Sequence, residues 1–210
     1  MRIYLHIGLE HVGVGRLQSV LADKRDGMIS KGVLYARAPV NNIHTRLFMA
    51  VTDPDHIDPL RYNRGYITAK KQAVLRETLL TDLQKEVATH TPAQLILSAS
   101  QLGASLSRRS ELERLKALLS TLSDDIQLVA HVDEPARLLT RFYAEAVIEG
   151  RAAPLTQELA LAETGNWWDA ALAAAPQIDP QAGIFQETLV APFWLDYTTL
   201  QSFWEDVFGP

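Results

Sequence analysis

Three short apolar runs constrain this chain most: Arg2–Gly8, Ala93–Ser98 and Ile126–Val132. Each is rich in Ile, Leu and Val, and a stretch with helical spacing follows each. Runs of this length and type are those of buried strands. Strands alternating with helices form a parallel sheet with right-handed crossovers and helices on both faces. The spacing predicts a helix over 14–30, with Leu17, Val20, Leu21, Met28 and Ile29 on one face. Gly32 ends it, and Val33–Tyr35 reads as a further short strand. Residues 41–51 read as helical, 52–66 as loop, and 67–90 as a long helix carrying Val74, Leu75, Leu79, Leu80 and Leu83. Ser110 with Glu113 reads as a capping box opening a helix to about Leu122. Pro135 and Gly150 bracket another helix. Two short helices within 154–175 and one over 196–208 follow, while 176–193 is punctuated by Pro and Gly and resists assignment. The expectation is an α/β fold with a mostly helical C-terminal cap.

Charge divides the chain at the same place as this pattern. All 20 Lys and Arg lie at or before Arg151, with 17 of the 25 acids, so residues 1–151 carry +3 and 152–210 carry −8. All four tryptophans (Trp167, Trp168, Trp194, Trp204) lie in the acidic part. The expected organisation is therefore an α/β core over 1–151 and an acidic, Trp-rich cap over 152–210 packed on the same domain. Scattered basic residues in a net acidic chain do not make the clustered cationic face that nucleic acid requires. The sequence contains no cysteine. That excludes disulfides and thiolate chemistry and fits a reducing, cytoplasmic setting. No stretch approaches the ~20 apolar residues of a membrane span, and Met1–His6 reads as a strand rather than an apolar leader.

The first βα connection is the strongest candidate for chemistry. Leu5-His6-Ile7-Gly8-Leu9-Glu10-His11-Val12-Gly13-Val14-Gly15-Arg16-Leu17-Gln18 reads as strand, glycine loop and helix. Such a loop aims backbone N–H groups and the positive end of a helix dipole at one spot, which suits phosphate. Gly8 and Gly13 have the spacing of the two glycines in G-x-x-x-x-G-K-[ST]. Val14 and Gly15 stand where that motif has its lysine and its hydroxyl, which excludes an ordinary ATPase or GTPase. A tight βα turn without ligand is the other reading of the same residues.

Ile3-Tyr4-Leu5-His6-Ile7-Gly8, followed by Gln18, resembles the opening of the bacterial sulfotransferase-like family, roughly I-x-L-H-I-G-x-x-K-T-G-T-T-x-L-Q. Further along, Gly32-Val33-Leu34-Tyr35, His44 with Leu47-Phe48-Met49-Ala50, Leu95-Ile96-Leu97-Ser98, and 126–150 with Pro135, Tyr143 and Gly150 resemble later segments in order. The resemblance covers roughly residues 2–150. It implies a three-layer P-loop-type parallel sheet flanked by helices, and sulfuryl transfer from 3′-phosphoadenosine-5′-phosphosulfate (PAPS) to a small-molecule or glycan acceptor.

By that resemblance, Gly8, Gly13, Val14, Gly15 and Arg16 would hold the donor's phosphosulfate. Arg137 and Arg141 would supply positive charge toward its 3′-phosphate. His11, His6 and His44 are the catalytic candidates for proton transfer. The family lysine falls on His11, its T-G-T-T on Val12-Gly13-Val14-Gly15, its 3′-phosphate arginine on Asp133, the matching serine on Arg141, and the acid after Ser-Ser on Ser100. The donor site is thus degenerate. A segment like Leu195–Gly209 is followed in that family by another strand, whereas this sequence ends at Pro210. The competing function is a non-catalytic binding or assembly module, with homo-oligomer or protein contacts through the Trp-rich region.

Two other clusters carry a chemical and a structural reading. His6, Glu10 and His11 lack the one-faced spacing of a zinc helix, so no metal is expected there. Asp53, Asp55, His56 and Asp58 read either as a cation loop or as a solvated acidic turn, and lack the glycine and terminal glutamate of a calcium loop. Trp167 and Trp168 are adjacent, so on a helix they point about 100° apart. One can enter a core while the other faces a groove or partner. Leu195, Leu200, Trp204, Val207 and Phe208 predict an amphipathic closing helix.

Overall fold

The four apolar segments form one sheet in which every strand runs parallel to its neighbours. The computed structural model describes residues 1–37, 42–174, 177–185 and 191–210. The predicted helix over 41–51 and the segment 176–193 extend in part outside them. In chain order the elements are β1 (Arg2–Gly8), α1 (Val14–Asp23), α2 (Arg25–Ile29), β2 (Val33–Tyr35), α3 (Thr45–Val51), α4 (Pro59–Asn63), α5 (Ala69–His90), β3 (Gln94–Ser98), α6 (Ser100–Ser105), α7 (Arg109–Ser120) and β4 (Ile126–Ala130). Then come α8 (Pro135–Ile148), α9 (Leu155–Ala162), α10 (Trp167–Ala173), a 3₁₀ turn (Phe193–Leu195) and α11 (Tyr197–Phe208). No helix among the described residues is long and apolar enough to cross a membrane.

The chain divides into two compact units. The first comprises Met1–Pro54 and Tyr66–Val132, and the second Asp55–Gly65 and Asp133–Pro210. The division falls at Val132/Asp133, and the charge break after Arg151 lies inside the second unit.

In the first unit the strand order is β2-β3-β1-β4. Leu5 stands level with Leu97 on one side and Leu128 on the other, and His6 with Ser98 and Val129. Ile3, Leu5, Leu34, Leu95 and Leu97 are fully buried. The apolar composition of the two inner strands follows from helices covering the sheet. β4 is an edge strand and only half-buried, although its apolar run reads like that of a central strand.

Three helix details differ from the sequence pattern. The predicted helix over 14–30 breaks at Lys24 into α1 and α2. Met28 and Ile29 therefore leave the face of Leu17 and Leu21, and Val20 is 49% exposed. On α5 the buried stripe is Gln72, Leu75, Leu79 and Leu83, and Val74 points outward. Gln72 is buried because its amide donates to the Met49 carbonyl at 2.9 Å and the Thr52 carbonyl at 2.6 Å, closing the end of α3. The helix α7 starts two residues earlier than the Ser110/Glu113 pairing implies. Arg108 is its N-cap, and the fully buried Glu111 accepts from the backbone N–H of Arg108 and of Asp53.

Within the second unit, α4 occupies part of the expected loop, because Asp58 caps it by accepting from the N–H of Leu60 and Arg61, with Pro59 in the first turn. The tryptophans form this unit's own core. Trp168 meets Phe193 edge-on with centroids 4.7 Å apart, Phe142 meets Trp194 at 6.4 Å, and Trp204 stacks on Phe208 at 5.4 Å. Leu200, Trp204 and Val207 form the buried stripe of α11, as the spacing predicts. Trp167 is half-buried, and its indole N–H donates to the Pro192 carbonyl at 2.9 Å. Arg151 and Glu158 make an ion pair whose side chains are 4% and 1% exposed, with the guanidinium 5.7 Å above the Tyr143 ring.

Candidate functional site at the strand ends

In an open α/β sheet the carboxyl ends of the strands are where ligands bind. Here β1, β3 and β4 end beside one another, and four polar side chains converge there. Ser98, the last residue of β3, is fully buried, and His6 on β1 is 3% exposed. His6 Nδ1 lies 2.7 Å from Ser98 Oγ, and His6 Nε2 lies 2.7 Å from His131 Nδ1. Gln18, on the buried face of α1, donates its amide N–H to Ser98 Oγ at 3.0 Å. The two imidazole rings meet edge-to-face with centroids 4.8 Å apart.

A register shift puts His131 within reach. His6 pairs with Val129, but Gly8 pairs with Ala130, so β1 spends one extra residue at this point. Such bulges re-aim side chains. Past it, the His131 N–H donates to the Gly8 carbonyl at 2.7 Å, and the Leu9 N–H donates to the His131 carbonyl at 3.1 Å. The exposed His131 thereby sits at the start of the glycine loop. Burial, reinforced by repulsion from His131, lowers the His6 pKa to about 4. His6 is therefore neutral at pH 7 and does not itself reach solvent.

His44 bonds backbone at both of its ring nitrogens. It is buried at the start of α3, its Nδ1 accepts from the Ser98 N–H at 2.9 Å, and its Nε2 bonds the Ala36 carbonyl at 2.9 Å. Burial lowers its pKa against the opposing pull of those backbone bonds. Both ring nitrogens are spent on backbone, so His44 ties the end of β3 to the segment after β2.

Gly8 has φ of +89°, and a Cβ there would lie 2.5 Å from the Ser100 Cα. Only glycine lets α6 start this close to β1. Gly103 meets the same strand from α6, where a Cβ would lie 2.8 Å from the Ile7 carbonyl oxygen. His11 is half-buried with φ of +61°. Gly13 is the N-cap of α1 with φ of +82°. A Cβ at Gly13 or Gly15 would meet nothing within 4 Å, and Arg16 is exposed while the Val14 side chain turns into the core. There is thus room beside Gly13 and Gly15, and within this turn the Arg16 N–H donates to the Gly13 carbonyl at 3.1 Å.

Arg137 and Arg141 are in the second unit and pair with Asp133, at 3.0 and 3.5 Å. The hydrogen bond from the Glu134 N–H, with the two arginines, holds the Asp133 carboxylate below its usual range. This carboxylate offsets part of the positive charge that the resemblance assigns to the 3′-phosphate.

In the acidic loop, Asp53 and Asp58 are engaged within the chain and Asp55 is exposed. Asp53 accepts from Ser110 at 2.8 Å and pairs with Arg114 at 2.9 Å and Arg108 at 3.4 Å. Burial raises the Asp53 pKa, but these bonds outweigh it, and the net shift is downward. Asp58 is spent as a helix cap. Among the described residues no group of three His, Asp or Glu side chains is placed to hold a metal ion. A cleft of about 700 Å³ lined by Arg37, Arg46, Asp82, Lys85, Glu86, Thr89 and His90 contains none of the strand-end residues.

Sequence reasoning finds His6 and the loop but misses Ser98 and His131 as members of the cluster. The available signal is positional, since both stand at the end of an apolar run beside the central strand. Comparisons with protein-family models, with curated proteins and with solved structures find no match.

Proposed function

We propose that this chain is a sulfotransferase-like nucleotide-binding protein that takes the phosphosulfate or phosphate end of a 3′-phosphoadenosine nucleotide at the loop 8–15, and that its sulfuryl transfer is slow or absent. The observation that carries this reading is the loop geometry at the central strand. A left-handed Gly13 caps α1, and the space beside Gly13 and Gly15 is open. A helix leaves its first N–H groups without α-helical partners, and its dipole favours an anion there; here the Arg16 N–H turns back to the Gly13 carbonyl, which leaves those of Val14 and Gly15.

PAPS fits this chain unevenly. The amide cradle and Arg16 suit the 5′ end, whereas Arg137 and Arg141 are held by Asp133. The missing loop lysine and hydroxyls bear on rate. Removing one donor that stabilises transition-state charge costs ~10²–10³ in rate, and here several are replaced together by His11, Val14 and Gly15.

The test is calorimetry with adenosine 3′,5′-bisphosphate on the whole chain, paired with a transfer assay using labelled PAPS. The expected result is saturable sub-millimolar binding, weakened by Arg16→Glu, with turnover far below that of an efficient transferase. Absence of binding at millimolar ligand overturns the nucleotide reading, and rapid turnover overturns the degenerate one. The alternative module reading draws its support from the C-terminal tryptophans. Trp168, Trp194 and Trp204 are buried within their own unit, so no exposed tryptophan surface among the described residues favours it.

A further inference from the structure

The buried polar chain at the strand ends fixes which nitrogen of His131 carries its proton. Ser98 is fully buried, and its hydroxyl has two hydrogen-bond partners among the described residues, His6 Nδ1 and the Gln18 amide nitrogen. An amide nitrogen only donates, so the Ser98 O–H must donate to His6 Nδ1 or be left unsatisfied, which buried hydroxyls avoid. His6 then carries its proton on Nε2 and donates it to His131 Nδ1. His131, accepting at Nδ1, is left with a proton on Nε2, on the side of the ring away from His6. The titratable group facing His6 is His131, and the other members of the chain, Ser98 and Gln18, are uncharged.

We propose that His131 is a ligand-facing hydrogen-bond donor of this site, held as the Nε2–H tautomer by Gln18, Ser98 and His6 so that it offers an N–H to a phosphate or sulfate oxygen beside the glycine loop. The anion role rests on the nucleotide reading above, whereas the tautomer does not. His131 is the residue that touches the anion. Gln18, Ser98 and His6 are positioning residues acting through it. An N–H donor beside the loop's first residues supplies one of the hydrogen bonds that the absent lysine would have made.

The experiment is ¹⁵N NMR of the histidine rings on the whole, ligand-free chain near neutral pH. Expected are Nε2–H tautomers for both His6 and His131. Gln18→Glu presents a carboxylate oxygen in place of the amide nitrogen, so the Ser98 hydroxyl turns to it and the chain reverses. His6 and His131 then become Nδ1–H tautomers, a change that a purely structural role would not produce. Ser98→Ala, which removes the link, is expected to abolish the fixed preference if the glutamate variant does not fold. An Nδ1–H tautomer for His131 in the unmodified chain, or no response to either variant, overturns the proposal.

Titration with inorganic sulfate then reads the anion role without any nucleotide. A saturable shift of the His131 Nε2 signal is expected, and its absence overturns that role. With adenosine 3′,5′-bisphosphate, His131→Ala is expected to weaken binding about three- to tenfold, the value of one neutral hydrogen bond, and His131→Gln to restore most of it. Unchanged affinity in His131→Ala overturns the proposal while leaving the nucleotide reading standing. A failure of the unmodified chain to bind the bisphosphate overturns that reading and leaves the tautomer and sulfate results to decide this one.

Discussion

The two units bury polar groups in opposite ways. At the strand ends of the first unit, His6, Ser98, Gln18 and His44 are neutral at pH 7 or uncharged, and each has a hydrogen-bond partner at about 3 Å. In the second unit, Arg151 and Glu158 are buried as ions against an aromatic core, and Arg151 Nε and Nη1 lack hydrogen-bond partners among the described residues. Burial raises the Glu158 pKa, and Arg151 opposes that shift. A neutral hydrogen-bonded chain costs little to bury and can set the direction of an exposed donor. A buried ion pair costs desolvation on both sides and is tolerated only while both partners remain. The first arrangement suits a site, and the second suits a pin that holds irregular chain together.

Removing half of the pin gives the largest expected effect. Arg151→Ala leaves Glu158 buried and uncompensated, and should destabilise the protein by about 3–5 kcal/mol in denaturant unfolding. The double variant Arg151→Met/Glu158→Leu should recover most of that loss, since an apolar replacement of a buried pair is often neutral. If Arg151→Ala costs under about 1 kcal/mol, the pair behaves as a surface one and the contrast between the units collapses.

On the sheet side, Gly103→Ala forces a Cβ to within 2.8 Å of the Ile7 carbonyl oxygen and of a Leu9 methyl. Overpacking of that kind should cost ~2 kcal/mol and disturb the loop that follows Ile7. Retention of full stability would show that α6 does not press on β1.

Acid should act on the neutral chain in a defined window. His6 is neutral in the folded state down to about pH 4, while the unfolded side chain takes up its proton near 6.5. Between those values the unfolded state binds more protons, so stability is full above about 6.5 and falls as the pH drops toward 4. Burial shifts His44 in the same direction. Urea unfolding of His6→Gln should show a flatter profile across this window than the unmodified chain, and equal slopes would contradict burial of a neutral His6. The smallest effect belongs to the α4 cap, where Asp58→Ala should cost about 1 kcal/mol by thermal denaturation.

The same contrast explains what was legible in the sequence. The sheet was, because buried strands and their crossover helices leave local periodic signals in Arg2–Gly8, Ala93–Ser98 and the helically spaced leucines 75, 79 and 83. The closing helix was too, through Leu200, Trp204 and Val207. The break at Lys24, the outward Val20 and the earlier start of α7 were not. Each depends on a tertiary partner, such as Asp53 for Glu111, that spacing does not encode. At the site, His6 and the glycines stood out by type and position. His131 joined them only through a one-residue bulge in β1, which alternation cannot register. The Arg151–Glu158 pair reads in the sequence as two unremarkable charges, since nothing local marks them as buried.

The central claim is that the glycine loop after β1 receives an anion at the first turn of α1. Backbone amide NMR of the whole chain with increasing adenosine 3′,5′-bisphosphate tests it most directly. The account predicts saturable shifts that are largest at Gly13, Val14, Gly15 and Arg16 and extend to His131. Shifts absent from these residues, or centred instead on the cleft lined by Arg37, Arg46 and Lys85, would contradict it.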